Sequence, residues 1–312
     1  MSTTKYANAV AAVKAMENML LTRNELDQLI NSEGKDEAEA LLSSRSGGEN
    51  ADPEAVWAML KESAPDSREL EILLYKNDFH NLKAALKAMI SGKEAAGYFV
   101  KPTSLDLEQL PAALAEKNYN ILPEHIRGAA QEAYEIIVRT SDGQLADSYI
   151  DAETLRRMQQ DAEETGSEFM KEYARLTAVC ADIKTAYRCS RMKKSKSFLE
   201  TAVCGSRELD REELIKASLA GEESLLSYLD GAGFGELAKL LDGSAAAFEK
   251  RCDDMIMELA ESARMMSFGC EPLAAYFIAA EAEQKNLRII RVCKEFGADR
   301  ETITERMRKL YV

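Results

Sequence analysis

The chain has 312 residues and a formal net charge of −14 at pH 7. That acidic balance argues against a nucleic-acid binder, which needs a basic footprint, and against adhesion to anionic lipid through charge, so proteins are the expected partners. Hydrophobic residues at 46% and charged residues at 30% fit a soluble globular protein longer than one core usually serves, which predicts two or three modules.

Other classes are excluded by pattern. The longest uninterrupted apolar run, Leu273–Ala280, is far short of the roughly twenty residues of a membrane span. The N-terminus has no apolar secretory segment, and the reading is a cytoplasmic protein with no direct lipid insertion. The six cysteines, at 180, 189, 204, 252, 270 and 293, show no C-x-x-C spacing, and His80 and His125 stand far from them. Metal sites pair their ligands at short spacing, so free thiols acting as small apolar residues are expected, with no metal and no cofactor.

Residues 5–21 read as an amphipathic helix with Val10, Val13, Leu20 and Leu21 on its apolar positions. Thr22 with Glu25 is a capping box that opens the next helix, and Asp36 with Glu39 repeats the device. The Ser- and Gly-rich Ser43–Asp52 reads as a loop. Asp52-Pro53 opens a helix carrying Trp57, Val56 and Leu60 toward a core. Ser67 to Ser91 is helical, with a bend near Asn77-Asp78. Residues 94–104 connect to short helices, and a longer helix runs from Pro123 through Arg139. Asp151 is read as the cap of a helix toward Asp161. A long helix follows Gly166-Ser167, and Asp210 with Glu213 caps another. A glycine-rich bend covers 230–235, and a helix covers Ser244 to about Met266. Strand signals are nearly absent, so the fold class is all-α.

An internal repeat runs through this pattern. Asn81-Leu82-Lys83 is echoed by Asp182-Ile183-Lys184 and by Asn286-Leu287-Arg288, about one third of the chain apart each time. A second cation follows one turn on: Lys87, Arg188 and Arg291. An acidic helix start follows each copy, at Asp106, Asp210 and Asp299. Even spacing predicts three similar helical modules, bounded as 1–115, 116–217 and 218–312. The six cations Lys83, Lys87, Lys184, Arg188, Arg288 and Arg291 are the candidate partner-binding residues. For any one of them, an exposed ion pair with a neighbouring acid explains as much.

Two constellations suggest catalysis only at first sight. Asp253, Asp254 and Glu258 gather three carboxylates on a helix, as an all-α enzyme holding magnesium diphosphate would, but Lys250 and Arg251 neutralise them locally and a solvated helix face is expected. Gly231, Gly233 and Gly235 precede a helix but follow no strand, so they are no dinucleotide fingerprint. There is no phosphate-binding G-x-x-x-x-G-K-[ST] loop, and no catalytic residue is assigned.

The last stretch, Glu271–Val312, reads as a long helix, a stop at Gly297, and a short helix capped by Asp299. Leu273, Tyr276, Phe277, Ala280, Leu287 and Ile290 form one apolar strip, and Ile278, Ile289, Val292, Cys293 and Phe296 form a second, which predicts burial over a wide arc. Its sequence, EPLAAYFIAAEAEQKNLRIIRVCKEFGADRETITERMRKLYV, closely resembles the C-terminus of the C subunits of prokaryotic V/A-type rotary ATPases, relatives of the d subunits of the eukaryotic vacuolar enzyme. KNLRII followed by a terminal LYV carries the likeness. KYANAVAAVKAMENMLL resembles the start of the same family, with FHNLKAALKA and ADIKTAYRCS as weaker matches between.

The resemblance implies three helical modules around a pseudo-threefold axis, forming a funnel. It implies a non-catalytic central-stalk subunit that receives shaft subunits D and F and sits on the membrane rotor ring, at the cytoplasmic face, during ATP-linked proton or sodium transport. A helical scaffold outside any ATPase shares the composition, and the Asp-rich diphosphate enzyme is the third alternative.

Overall fold

A computed structural model describes residues 5–45, 51–64 and 67–312. All regular structure among them is helical, with no strand. Of the loop read at Ser43–Asp52, residues 46–50 lie outside the described set. The chain forms two compact units: one from the segment up to Leu70 together with Leu240–Val312, the other from Glu71–Lys239.

The first unit opens with α1 (Ala7–Met16), α2 (Arg23–Asn31), α3 (Lys35–Ser43) and α4 (Pro53–Ser63). The Thr22 and Glu25 capping box forms as read. Asp52 accepts the Ala55 N–H at 3.1 Å to start α4. Asp36 is no cap: it lies inside α3, whose N-cap is Gly34.

The second unit holds α5 (Tyr75–Ser91), α6 (Leu110–Ala115), α7 (Glu124–Thr140), α8 (Gly143–Thr165), α9 (Glu168–Arg191), α10 (Lys196–Ala202), α11 (Arg211–Ala220) and α12 (Glu222–Gly231). The bend expected near Asn77 falls earlier, where a 3-10 stretch Ser67–Leu74 meets α5. α8 begins at Asp142, whose carboxylate caps Leu145 at 3.0 Å, so Asp151 sits mid-helix. Along α13 (Gly235–Gly243) the chain returns to the first unit, which closes with α14 (Ala245–Ala263), α15 (Glu271–Glu295) and α16 (Arg300–Arg306).

α15 is the spine of its unit. Every residue from Pro272 to Ala280 is buried, because α1, α4 and α14 all pack on it. Trp57 of α4 meets Phe277 edge-on, ring centroids 5.5 Å apart. The wide buried arc stops short of the helix end, however: Val292 is 45% and Phe296 82% exposed.

The internal repeat has a definite physical meaning. Asn81, Asp182 and Asn286 are each 0% exposed and each grips backbone about twenty residues further on. Asn81 Nδ2 donates to Val100 O at 2.9 Å, and its Oδ1 accepts the Val100 N–H at 2.8 Å. Asn286 does the same with Arg308, at 3.1 and 2.8 Å. Asp182 has no donor, and its two oxygens accept the N–H groups of Cys204 and Gly205 at 2.9 and 2.6 Å. Val100, Cys204, Gly205 and Arg308 lie outside helices, so their polar groups need such partners. The repeated residue is a latch that holds the connector returning over its helix.

The latches also correct the alignment of the repeat. Asp106 and Asp210 follow the latched backbone, whereas Asp299 precedes it. Asp299, which accepts the Thr302 N–H at 2.8 Å, occupies the place of Ser195, which caps α10 through Phe198 at 3.3 Å.

Asn286→Asp places a carboxylate oxygen against the Arg308 carbonyl. It is expected to lower stability by about 1–3 kcal/mol at neutral pH, less as pH falls and the carboxyl regains a proton. Asn81→Asp behaves alike, and denaturant unfolding of both variants measures it. Asp182 yields a pH signature. Burial outweighs its two N–H donors and raises its pKa from 3.8 to about 6. A raised carboxyl favours the folded state fully below the ordinary value and loses that contribution as pH rises through about 6. The change is on the order of 3 kcal/mol. Asp182→Asn is therefore expected to flatten the melting-temperature profile between pH 4 and 6; an unchanged slope contradicts this.

Candidate functional site

The six candidate cations lie on the helices that carry the latches. At 100° per residue, positions two, five and six beyond the latch point away from it, so the same geometry that buries Asn81, Asp182 or Asn286 turns these cations outward. In α5 both find partners on α8: Lys83 pairs with Asp151, and Lys87 reaches Asp147 at 2.6 Å. Asp151, read as a cap, is thus an ion-pair partner instead. Lys83 and Lys87 line a cavity of about 450 Å³ with His80, Lys93 and Tyr98. Lys184 of α9 is half-buried and Arg188 exposed. In α15, Arg288 and Arg291 are exposed. Arg188, Arg288 and Arg291 make no ion pair among the described residues.

The carboxylates of α14 do more than face solvent. Asp253 accepts Arg308 Nε at 2.7 Å and also pairs with Lys285. Asp254 accepts the Lys309 N–H at 2.8 Å and lies 3.3 Å from Lys250. Lys309 Nζ reaches Glu261 at 2.6 Å. The expected solvated face is a clasp for the C-terminal segment, which Asn286 holds from the other side. The Arg308 side chain is only 7% exposed, and Asp253 is its paired carboxylate.

One buried polar centre escaped sequence reading. Asp78, 0% exposed, accepts His125 Nε2 at 2.9 Å, the Ser104 N–H at 2.8 Å, the Ser104 hydroxyl at 2.6 Å, and the Thr103 hydroxyl. His125 stacks on Tyr75 at 4.2 Å, and the Tyr75 hydroxyl donates to Asp161. With its carboxylate filled and its histidine enclosed, the centre anchors the connector after α5. Only Asp78 standing three residues before Asn81 hinted at it, since that spacing shares a helix face.

No helix among the described residues is long and apolar enough to cross a membrane. The six cysteines form no disulfide, and five are buried. The Gly231–Gly235 run joins α12 to α13, as a bend between helices.

A sequence model of the ATP synthase (C/AC39) subunit family matches residues 9–306. The chain belongs to this family. It is 25% identical to the C subunit of the V-type sodium ATPase of Enterococcus hirae, an alignment covering 96% of this chain and 97% of that one. It is 24% identical to the C subunit of the V-type ATP synthase of Thermus thermophilus over 77% of this chain and 74% of that one. In this chain Asn286 of KNLRII holds the Arg308 backbone, and Lys285 shares Asp253 with the Arg308 side chain.

The clasp is expected to matter for stability. Asp253→Asn leaves Arg308 largely buried with a weakened partner, and a loss of roughly 1–3 kcal/mol is anticipated. Denaturant unfolding measures the loss, and hydrogen exchange should quicken first at residues 307–311. Wild-type stability in this variant would restore the solvated-face reading.

Proposed function

We propose that the chain is a non-catalytic central-stalk subunit of a V/A-type ATPase. In this role it couples the rotating shaft, subunits D and F, to the membrane rotor ring during ATP-linked proton or sodium transport. The observation that carries the reading is the family match over residues 9–306, together with nearly end-to-end alignment to the C subunit of a V-type sodium ATPase. The general-scaffold alternative accounts for neither. The diphosphate-enzyme alternative needs Asp253 and Asp254 for metal, yet both are engaged with cations and backbone.

With the reading go three related modules, 1–115, 116–217 and 218–312, about a pseudo-threefold axis in a funnel. It also brings a position on the cytoplasmic face, held through the ring. The three latches support the kinship of the modules, because unrelated helices have no reason to share a buried Asn or Asp at one repeat position. Lys83, Lys87, Lys184, Arg188, Arg288 and Arg291 are the proposed shaft-facing residues. The mechanical task suits close-packed helices, which deform little. One charge crossing 100 mV is worth about 2.3 kcal/mol, and the joint must carry such loads without slip.

Reversing the three cations that lack ion pairs tests the role. Arg188→Glu, Arg288→Glu and Arg291→Glu together add repulsion where attraction is proposed. ATP hydrolysis by the detached nucleotide-binding head should persist, while ion pumping in vesicles and recovery of intact complex fall together. Normal pumping by the folded triple variant removes the shaft-facing assignment. Failure of the wild-type chain to co-purify with shaft and ring subunits removes the functional reading itself.

A further inference from the structure

Each latch helix ends in an exposed large apolar side chain: Ile90 on α5 at 54%, Met192 just past α9 at 57%, and Phe296 just past α15 at 82%. They stand nine or ten residues beyond Asn81, Asp182 and Asn286. At 100° per residue these places border the face that carries the cation pair. Isolated exposed apolar residues are ordinary on a protein surface. Recurrence at nearly the same place in all three copies, beside two cations each time, is not.

The feature is fullest on α15. Arg288, Arg291, Val292 and Phe296 are all exposed and share less than half the helix circumference. Ile289 at its edge turns in to pack on the core with Leu287 and Ile290. The chain carries 54 acidic against 40 basic residues, yet among the described residues none pairs with Arg288 or Arg291. Guanidinium groups kept clear of abundant carboxylates, beside an unburied aromatic ring, fit a partner that brings its own carboxylates next to an apolar strip.

We propose that the C-terminal face of α15, anchored by Phe296 with Val292 and framed by Arg288 and Arg291, docks an acidic amphipathic helix of the shaft. The assignment rests on the central-stalk reading above. Phe296 supplies the anchor, since aromatic side chains carry a disproportionate share of interface energy. The arginines set approach and register through charge.

The test uses the full-length chain and the recombinant D–F shaft pair, with association and dissociation followed by surface plasmon resonance. Phe296→Ser should speed dissociation at least about tenfold with little change in association, as loss of an anchor does. Arg288→Glu with Arg291→Glu should instead slow association and weaken its salt dependence. Val292→Ser serves as a second, milder anchor variant. Because Phe296 is so exposed, its substitution should leave the melting temperature unchanged. A lowered melting temperature would make its role structural and overturn the proposal. Wild-type affinity in Phe296→Ser, with wild-type chain binding the shaft pair, overturns this docking face and leaves the central-stalk reading intact. No binding by the wild-type chain overturns both.

Discussion

A buried side chain gripping distant backbone is the constraint on which the rest depends. Helices satisfy their own polar groups, but the segments that return over them do not, and those segments must still be packed. This chain solves the problem three times with one device. Where the returning backbone offers an N–H and a C=O from one residue, the latch is an amide, Asn81 or Asn286. Where it offers two consecutive N–H groups, the latch is a carboxylate, Asp182. Asparagine and aspartate are nearly isosteric, so the chemistry of the connector, rather than its shape, selects between them.

The latches also determine what remains outside. Fixing one helical position inward at Asn81, Asp182 and Asn286 turns positions two and five or six residues on toward the opposite face, where the cations stand. Structure and surface are therefore coupled through helical period alone. In the terminal unit the coupling is tightest. Asn286 holds the Arg308 backbone, Asp253 holds the Arg308 side chain, and Lys285 shares Asp253. The KNLRII stretch and the end of the chain, which look like separate marks of family membership, are two sides of one contact.

Much of this was legible in sequence. Helix starts signalled at Thr22, Asp52, Asp210 and Asp299 form as read, because a cap is a local interaction. Errors arose where a local signal met a tertiary one. Asp36 and Asp151 look like caps, yet neighbouring sequence continues the helix through them. Val292 and Phe296 continue an apolar period, yet they stay exposed among the described residues, and periodicity does not report where a partner helix ends. The repeat is visible in sequence through its cations, but the polar residue at its head, which reads as an ordinary surface position, is the buried one. Asp78 and His125 were invisible for the same reason, since their pairing depends on α5 and α7 meeting.

The proposed central-stalk role requires this chain to turn with the shaft. A covalent cross-link tests it most directly. A cysteine introduced at Arg291, on the exposed end of α15, is joined to one on the shaft in the assembled complex, after the native cysteines are replaced. The measurement is ATP-driven ion pumping before and after oxidation, with the cross-linked fraction quantified. A co-rotating partner loses nothing by the link, so pumping should be unchanged at full cross-linking and unaffected by reduction. Pumping that falls in proportion to the linked fraction and returns on reduction would show relative motion between the two, and would contradict the account.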